Sequence, residues 1–557
     1  MRVIGIDVGG TNTDAALISD EGIVLAMVKT PTDHDDILCS VRTALEEIIA
    51  SHKGPFPMEL HLSTTLPTNA IVEGEGDPAA VVAIPGPGMN LLDYDFGFPV
   101  YSVKGYVDHR GRVASDIDPD EVLSAARQAW NDGARALAIV GKFSQRNNSL
   151  ELAAKQVVEQ AGLKFSQITL GHQLSGRHGF PRRIMTAYLN ARVAGIQQEF
   201  AAVIERLMSE NPIIAGVRIL KADGGTMGLA ESCVRPIETI LSGPAASLTA
   251  SLALSRRTEA NTVVVDIGGT TTDIAVIAGG EPVCQRGGAV IGGFNTLVRA
   301  LYTVSIGLGG DSEVRIHDSG VVLGPRRVGK AAALGGAEAT PTDAAVALGL
   351  AELGQRDKAI AALKKKAAGA FASWESLAQA IIEAFVLRLC TAVDEVYRTL
   401  ENVPVYTVSE ILAPPDIRPR AVIGLGAPAG VFIPLAAEQL GLPWEILPYH
   451  AGANGIGAAA ARPTVSLSVH VDTEQEQMII PELGLRKQIK QALFDQKQAR
   501  RAAVEHTLAY AQGLGLEECS EIQIVEEEAF NVVRGFHTVG RIFNIRAQMR
   551  PGARRVR

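Results

Sequence analysis

Cysteine is scarce: the 557 residues hold five, Cys39, Cys233, Cys284, Cys390 and Cys519, widely spaced and with no CxxC among them. An odd, scattered set excludes a disulfide framework and a zinc knuckle. The expectation is a reduced, cytoplasmic compartment, with each cysteine an isolated buried thiol. The eleven histidines show no HxxxH or HExxH spacing, which leaves no dedicated zinc site. No G-x-S-x-G elbow is present to carry a serine nucleophile. The nearest approach to a Walker A loop, Gly324 to Gly329-Lys330, continues with Ala331 and lacks the metal-binding hydroxyl. Long hydrophobic runs are also missing. The longest uncharged stretch, residues 421–437, contains Pro428, Pro434 and three glycines and cannot form a continuous membrane helix. Positive charge is not in excess: a net charge of −9 argues against nucleic acid or an anionic membrane as the main partner. Arg550, Arg554, Arg555 and Arg557 cluster at the C-terminus and read as a frayed, solvated tail. The N-terminus enters a strand at once, so no signal peptide is expected.

What is present is a duplication. Residues 4–18 read IGIDVGGTNTDAALI and residues 263–277 read VVVDIGGTTTDIAVI, so that Asp7 recurs as Asp266 and Asp14 as Asp273. Each copy is an apolar run, an Asp, two glycines, hydroxyl-bearing residues, a second Asp and another apolar run. Two buried strands joined by a Gly-rich polar turn form a β-hairpin. The glycines let backbone N–H groups approach a ligand, and Thr11, Thr13, Thr270 and Thr272 add hydroxyls, a turn chemistry suited to phosphate oxygens. Asp7 and Asp266 end their strands, where a carboxylate can hold a hydrated Mg²⁺. Two such hairpins imply two halves facing one site.

The rest of the chain, 47% apolar and 20% charged with 56 Gly and 27 Pro, describes a soluble globular protein of two or three domains. Helical spacing of Ile37, Leu38, Val41, Leu45, Ile48 and Ile49 predicts a helix over 36–49, with Asp35 and Asp36 at its N-terminal end. A short strand at 59–62 runs into the polar cluster 63–69, whose hydroxyls either line a ligand site or cap the next helix. Strands at 79–84 and 136–140 alternate with helices at 120–131 and 148–160, the signature of an α/β domain. A long helix over 181–208 crosses to the second half. A strand at 217–222 leads into the turn Asp223-Gly224-Gly225-Thr226, and Ser242 is expected to N-cap a helix continued by Gly243-Pro244. A Gly-rich loop over 306–312 is flexible enough to wrap a ligand. Further helices follow at 359–370 and 376–400. A strand at 421–426 ends in Gly424 and Gly426, which suits close packing on a nucleoside, and residues 449–459 open a helix of very small side chains. The last segment changes character, with strands at 464–471, 521–525 and 541–548 and a charged amphipathic helix over 485–514. It is a small α+β appendix, read as an interface without a catalytic constellation.

Two D-x-G-G-T-x-T-D hairpins and a late strand ending in glycines resemble the actin-like ATPase superfamily. A narrower resemblance is carried by residues 5–14, 61–73 (HLSTTLPTNAIVE), 223–227 (DGGTM), 235–246 (RPIETILSGPAA), 266–273, 307–312 and 450–460. With these the chain is similar to the A-type, ATP-binding subunit of the hydantoinase/5-oxoprolinase family, over residues 1–465.

The resemblance implies an α/β, two-lobed actin-like ATPase fold of duplicated ribonuclease-H-like domains. The expected division is an N-terminal lobe over 1–180, a second lobe over 181–465 and a C-terminal module over 466–557. It also implies use of ATP and Mg²⁺ to activate a cyclic amide by phosphorylating its carbonyl oxygen, with a B-type partner chain and assembly into an oligomer. Asp7 and Asp266 would hold the metal or orient the attacking group, and Asp14 and Asp273 would brace the hairpins. Gly9, Gly10, Thr11, Asn12 and Thr13, with Gly268, Gly269, Thr270, Thr271 and Thr272, would cradle phosphates. Gly424, Gly426 and Asn454 would face the nucleoside, and Thr64, Thr65, Thr68 and Asn69 the substrate. Alternatives are the ATPase subunit of an acetone- or acetophenone-type carboxylase acting on a ketone, and an actin-like nucleotide switch. The sequence departs from the family pattern at Val304-Ser305, where a His is usual, and at Asp311, where a third Gly is usual. It also contains no B-type half.

Overall fold

The computed structural model describes residues 2–33, 36–51, 57–317, 320–402, 416–490, 494–516 and 521–557; Asp35 and Cys519 lie outside them. Both predicted hairpins form, with the same internal register. Arg2–Val8 pairs antiparallel with Asn12–Ile18, setting Asp7 opposite Asp14. Thr262–Ile267 pairs with Thr272–Ala278, setting Asp266 opposite Asp273. Each hairpin then gains a parallel neighbour on its first strand: Met58–Thr64 in one half, Ala421–Leu425 in the other. Strands joined in parallel are covered on both faces, and their apolar runs are accordingly buried almost throughout.

The first sheet has six strands, and its outer pair, Ile214–Leu220 and Thr226–Gly228, comes from beyond residue 180. The boundary expected at 180/181 therefore does not coincide with a sheet boundary. Helix Ile37–Ser51 covers this sheet with Val41, Ala44, Leu45 and Ile48, a 3–4 spacing that puts all four on one face. A separate four-stranded sheet is built on Ala79–Ile84 and Ala136–Gly141. The 31-residue helix Phe180–Glu210 packs against it and leads back to the first sheet. The second hairpin's sheet is backed by helix Trp374–Glu401, which buries Leu377, Ile381, Phe385, Leu389 and Val393. Among the described residues it is the one helix long and apolar enough to cross a membrane, and its apolar face is used in this core.

Two helices of small residues, Ser242–Leu254 and Ala453–Ala460, lie between the two hairpin sheets and share one core with both. A Cβ on Gly5 would come 2.1 Å from the Gly455 carbonyl oxygen, and one on Gly457 would come 2.0 Å from that of Ala246. Glycine is therefore required at both places because backbone meets backbone.

Four expectations are corrected. Of the described cysteines only Cys390 is a buried thiol; Cys233 and Cys284 are half-buried and Cys39 is exposed. Leu241, at φ 55°, takes the N-cap position, and Ser242 is the first helical residue. Its hydroxyl instead braces the neighbouring strand, donating to the Thr64 carbonyl at 2.9 Å. The helix expected over 485–514 begins as strand Leu485–Gln488, zipped to Gln477–Ile480, and turns helical at Gln496 behind the Asp495 cap. The strand wins because Leu485 and its neighbours complete a five-stranded C-terminal sheet. The C-terminal arginines are not frayed. Arg555 donates to the Ser255 carbonyl at 2.6 Å, Arg550 pairs with Glu281 at 2.8 Å, and Val556 is buried.

Candidate nucleotide site

The two hairpin turns face each other across a cleft of about 240 Å³. Its walls carry Asp7, Gly9, Gly10, Thr11 and Asn12 from the first hairpin and Asp266, Gly268, Gly269, Thr270 and Thr271 from the second. Gly426 and Asn454 complete the set of expected residues that converge there. Each turn is closed by one bond across its base, Gly9 N–H to the Asn12 carbonyl at 3.1 Å and Gly268 N–H to that of Thr271 at 2.9 Å. The backbone N–H groups of Gly10, Thr11, Gly269 and Thr270 have no partner among the described residues. Successive free N–H groups in a turn make a concave anion site.

The cleft is also acidic. Asp7, Asp14, Asp266 and Asp273 line it, with Lys29 as the ammonium that balances them. Burial pushes the Asp7 carboxyl up to about 7; Asp14 and Asp266 add repulsion, while bonds from Ser63 and Asn454 pull it partly back. Burial and the neighbouring Asp266 raise Asp273 to about 7 as well. Burial raises Asp266 and Asp14, opposed at Asp266 by Ser247 and Asn454 and at Asp14 by Lys29. One Asp7 oxygen, Oδ1, is buried without a hydrogen-bond partner. Among the described residues no group of three or more His, Cys, Asp or Glu is arranged as a complete protein cage for a metal. Magnesium does not need one, since it keeps several waters and takes one or two carboxylates. An orphaned Asp7 oxygen and a second carboxylate across the cleft fit that requirement.

Other expected residues stand elsewhere. The Thr13 hydroxyl is buried against that of Thr32 at 3.1 Å, and the Thr272 hydroxyl donates to the Leu308 carbonyl at 2.6 Å. Both belong to strands that turn these side chains away from the cleft. Gly424 lies inside its strand, where a Cβ would meet Ile433 at 2.6 Å, so it serves strand–helix packing. Thr64, Thr65, Thr68 and Asn69 do not line the cleft. Thr64 Oγ1 accepts from Leu66 N–H at 3.2 Å, Thr68 Oγ1 accepts from Leu241 N–H at 3.1 Å, and Thr65 reaches the Val8 carbonyl at 3.5 Å. Thr65 holds the N-cap position of helix Leu66–Glu73 without a side-chain cap bond, and the bonds of Thr64, Thr65 and Thr68 brace the turn between strand and helix.

Five residues had been given no role in the site. Ser247 donates to Asp266 Oδ2 at 2.5 Å from inside helix Ser242–Leu254, one residue past the S-G-P-A-A run. Lys29 pairs with Asp14 at 2.7 Å because the third strand, Val24–Pro31, sets the two directly opposite. Extending the hairpin to a three-strand meander would have found it. The departures from the family pattern supply the others. Ser305 lies opposite Asp273 and hydrogen-bonds its carboxylate. Asp311 binds Arg327 at 2.9 Å, and Arg327 reaches Thr11 Oγ1 at 3.2 Å, a tie from the first hairpin to the Gly-rich loop, whose Asp311 N–H bonds the Gly269 carbonyl of the second at 2.8 Å. No local signal marks Arg327.

Comparison with known proteins places this geometry. The hydantoinase/oxoprolinase family model matches residues 183–466, and that of the hydantoinase/oxoprolinase N-terminal region matches 3–162. The chain is 27% identical over 489 residues to caprolactamase subunit alpha of Pseudomonas jessenii, covering 80% of this chain and 68% of that one. It is 25% identical over 393 residues to the acetophenone carboxylase gamma subunit of Aromatoleum aromaticum, covering 62% of this chain and 53% of that one. Among solved structures, the ATP-dependent caprolactamase from Pseudomonas jessenii superposes with a TM-score of 0.74 at 20% identity, over 98% of this chain and 87% of that one. Nucleotide-free acetone carboxylase gives 0.70 at 18% identity, over 99% and 88%. The fold is the two-lobed, actin-like ATPase fold, and the chain belongs to the hydantoinase/oxoprolinase family.

Proposed function

We propose that this chain is the ATP-binding subunit of a cytoplasmic enzyme that activates a cyclic amide of the hydantoin, 5-oxoproline or lactam type for hydrolysis. One observation carries the reading: two hairpin turns with free N–H groups oppose one another across a cleft walled by four aspartates. When bound, MgATP supplies a transferable phosphoryl group. The N–H groups of Gly10, Thr11, Gly269 and Thr270 bind and orient phosphate oxygens, and Thr11 and Thr270 add hydroxyl donors. Asp7, with its unpartnered oxygen, would be a carboxylate that holds the metal. Asp266, fixed by Ser247 and Asn454, would help hold the metal or orient the attacking group. A lactam carbonyl is stabilised by resonance; phosphorylating its oxygen gives a better electrophile for attack by water. The lactam-hydrolase relative supports this substrate class, and the free cysteines Cys39, Cys233, Cys284 and Cys390 agree with a reduced compartment. The hydrolytic step belongs to a B-type partner chain in a larger assembly, since the described residues hold no further catalytic constellation to offer it. The acetophenone carboxylase relative favours a second reading, in which the same phosphorylation prepares a ketone for carboxylation.

The test is ATP hydrolysis by the purified chain with Mg²⁺, across hydantoins, 5-oxoproline, lactams and small ketones, with and without a B-type chain. Stimulation by a cyclic amide is expected. Stimulation by ketones alone would favour the carboxylase reading. Nucleotide binding without stimulation in any combination would replace both with a nucleotide switch.

A further inference from the structure

A second and larger cavity, of about 610 Å³, lies between the Gln145–Arg182 region and the C-terminal sheet and shares no residue with the nucleotide cleft. Its charges are unusual. Arg146 is only 6% exposed, yet its guanidinium meets neutral groups: His470, His178 Nε2 at 2.9 Å and Asn544 Oδ1 at 3.3 Å. Burial and the charge of Arg146 hold both imidazoles below their ordinary value, so they stay neutral near pH 7. Among the described residues Arg146 has no carboxylate in ion-pair contact, and neither has Arg182, whose Nη1 donates to the Gly287 carbonyl at 2.7 Å. The same cavity is lined by Glu528, which accepts from Asn544 Nδ2 at 3.0 Å and has no cationic partner among the described residues. Asp472, itself paired with Arg110, and then Glu528 act on Arg146 through space, but neither is paired with it. A buried cation without a contacting counter-ion is costly, and Arg146 is that cation, while Arg182 and Glu528 line the same cavity from exposed positions.

We propose that this cavity binds a straight-chain ω-amino acid, its carboxylate on Arg146 and Arg182 and its ammonium on Glu528. Guanidinium groups suit a carboxylate through paired N–H donors, and the volume is that of a small-molecule site. The inference rests on the cyclic-amide reading for its choice of ligand. Adding water to a lactam breaks the ring C–N bond, forms a C–O bond and leaves one carboxylate and one amine on the same chain. The cavity is then a site for the ring-opened product, separate from the nucleotide.

Direct calorimetric titration without ATP tests it, using 6-aminohexanoate, hexanoate and hexylamine on the full chain. The amino acid should bind at one saturable site, at least ten-fold tighter than either single-charge analogue. Arg146→Gln should weaken it ten-fold or more. Arg182→Gln and Glu528→Gln should each weaken it about five-fold, with Glu528→Gln leaving hexanoate unchanged. Should Arg146→Gln not fold, the other two variants decide alone. No saturable binding, equal affinity for hexanoate, or unchanged affinity in the variants overturns the site. Binding of the amino acid without any lactam-stimulated ATP hydrolysis would overturn the functional reading and leave the site standing.

Discussion

The two hairpins share a register and a motif, but their surroundings divide the work differently. In the first, Asp14 is held by Lys29 at 2.7 Å, and Asp7 keeps one buried oxygen without a partner. In the second, Asp266 is engaged by both Ser247 and Asn454, and Asp273 has a serine in place of a cation. Packing differs in the same way. Gly5 of the first hairpin lies under the backbone of helix Ala453–Ala460, while the matching residue of the second, Val264, fills its own place in the core. Duplication has thus preserved the turn and let each copy specialise: one carboxylate is left open for a ligand, the other is fixed in position.

The sharpest way to break that comparison is to remove each carboxylate in turn. Asp7→Asn and Asp266→Asn should each lower ATP hydrolysis by about 10³-fold or more while leaving the fold intact. Only Asp7→Asn should raise the Mg²⁺ concentration needed for half-maximal rate. Equal metal shifts in the two variants would make the hairpins equivalent. Next in size is packing. Gly5→Val should cost at least about 3 kcal/mol in denaturant unfolding, because a backbone carbonyl has to move. The reciprocal Val264→Gly should cost about 2 kcal/mol through lost burial and added chain freedom.

A smaller effect comes from titration. Asp273 ordinarily ionises near 3.8 and in the fold near 7, so its contribution to stability is complete below about 3.8 and is lost as pH rises through about 7. Asp273→Asn does not titrate. Its melting temperature should match wild type near pH 4 and exceed it at pH 8, by the equivalent of about 1–2 kcal/mol once contact with cleft water is allowed for. The smallest change is Lys29→Met. With the lysine side chain 40% exposed, its loss should destabilise by about 1 kcal/mol at pH 8 and by less as pH falls and the raised Asp14 carboxyl takes up its proton.

Much of the fold was legible because its elements are specified locally. The strand Ala79–Ile84 is a continuous apolar run, and the hairpin turns declare themselves through paired glycines. Local pattern failed where a neighbour decided the matter. Leu485–Gln488 is a strand because an edge was available to pair with, and Ser242 is not a cap because Thr68 holds the preceding amide. Within the site, the two turns and Asp7, Asp266, Gly426 and Asn454 were readable. Thr13 and Thr272 were misplaced because each already belongs to a strand, where alternation points the side chain away from the cleft. Ser247 and Arg327 depend on contacts across many intervening residues, which no spacing rule encodes.

Asn454 and Gly455 are consecutive in the hydrogen-bonded helix Ala453–Ala460. The first binds Asp266, and the carbonyl of the second stands against Gly5. A displacement at either neighbour is therefore handed to the other within one rigid unit. The two sheets are geared together at that point, and whatever moves Asp266 also turns the strand that carries Asp7.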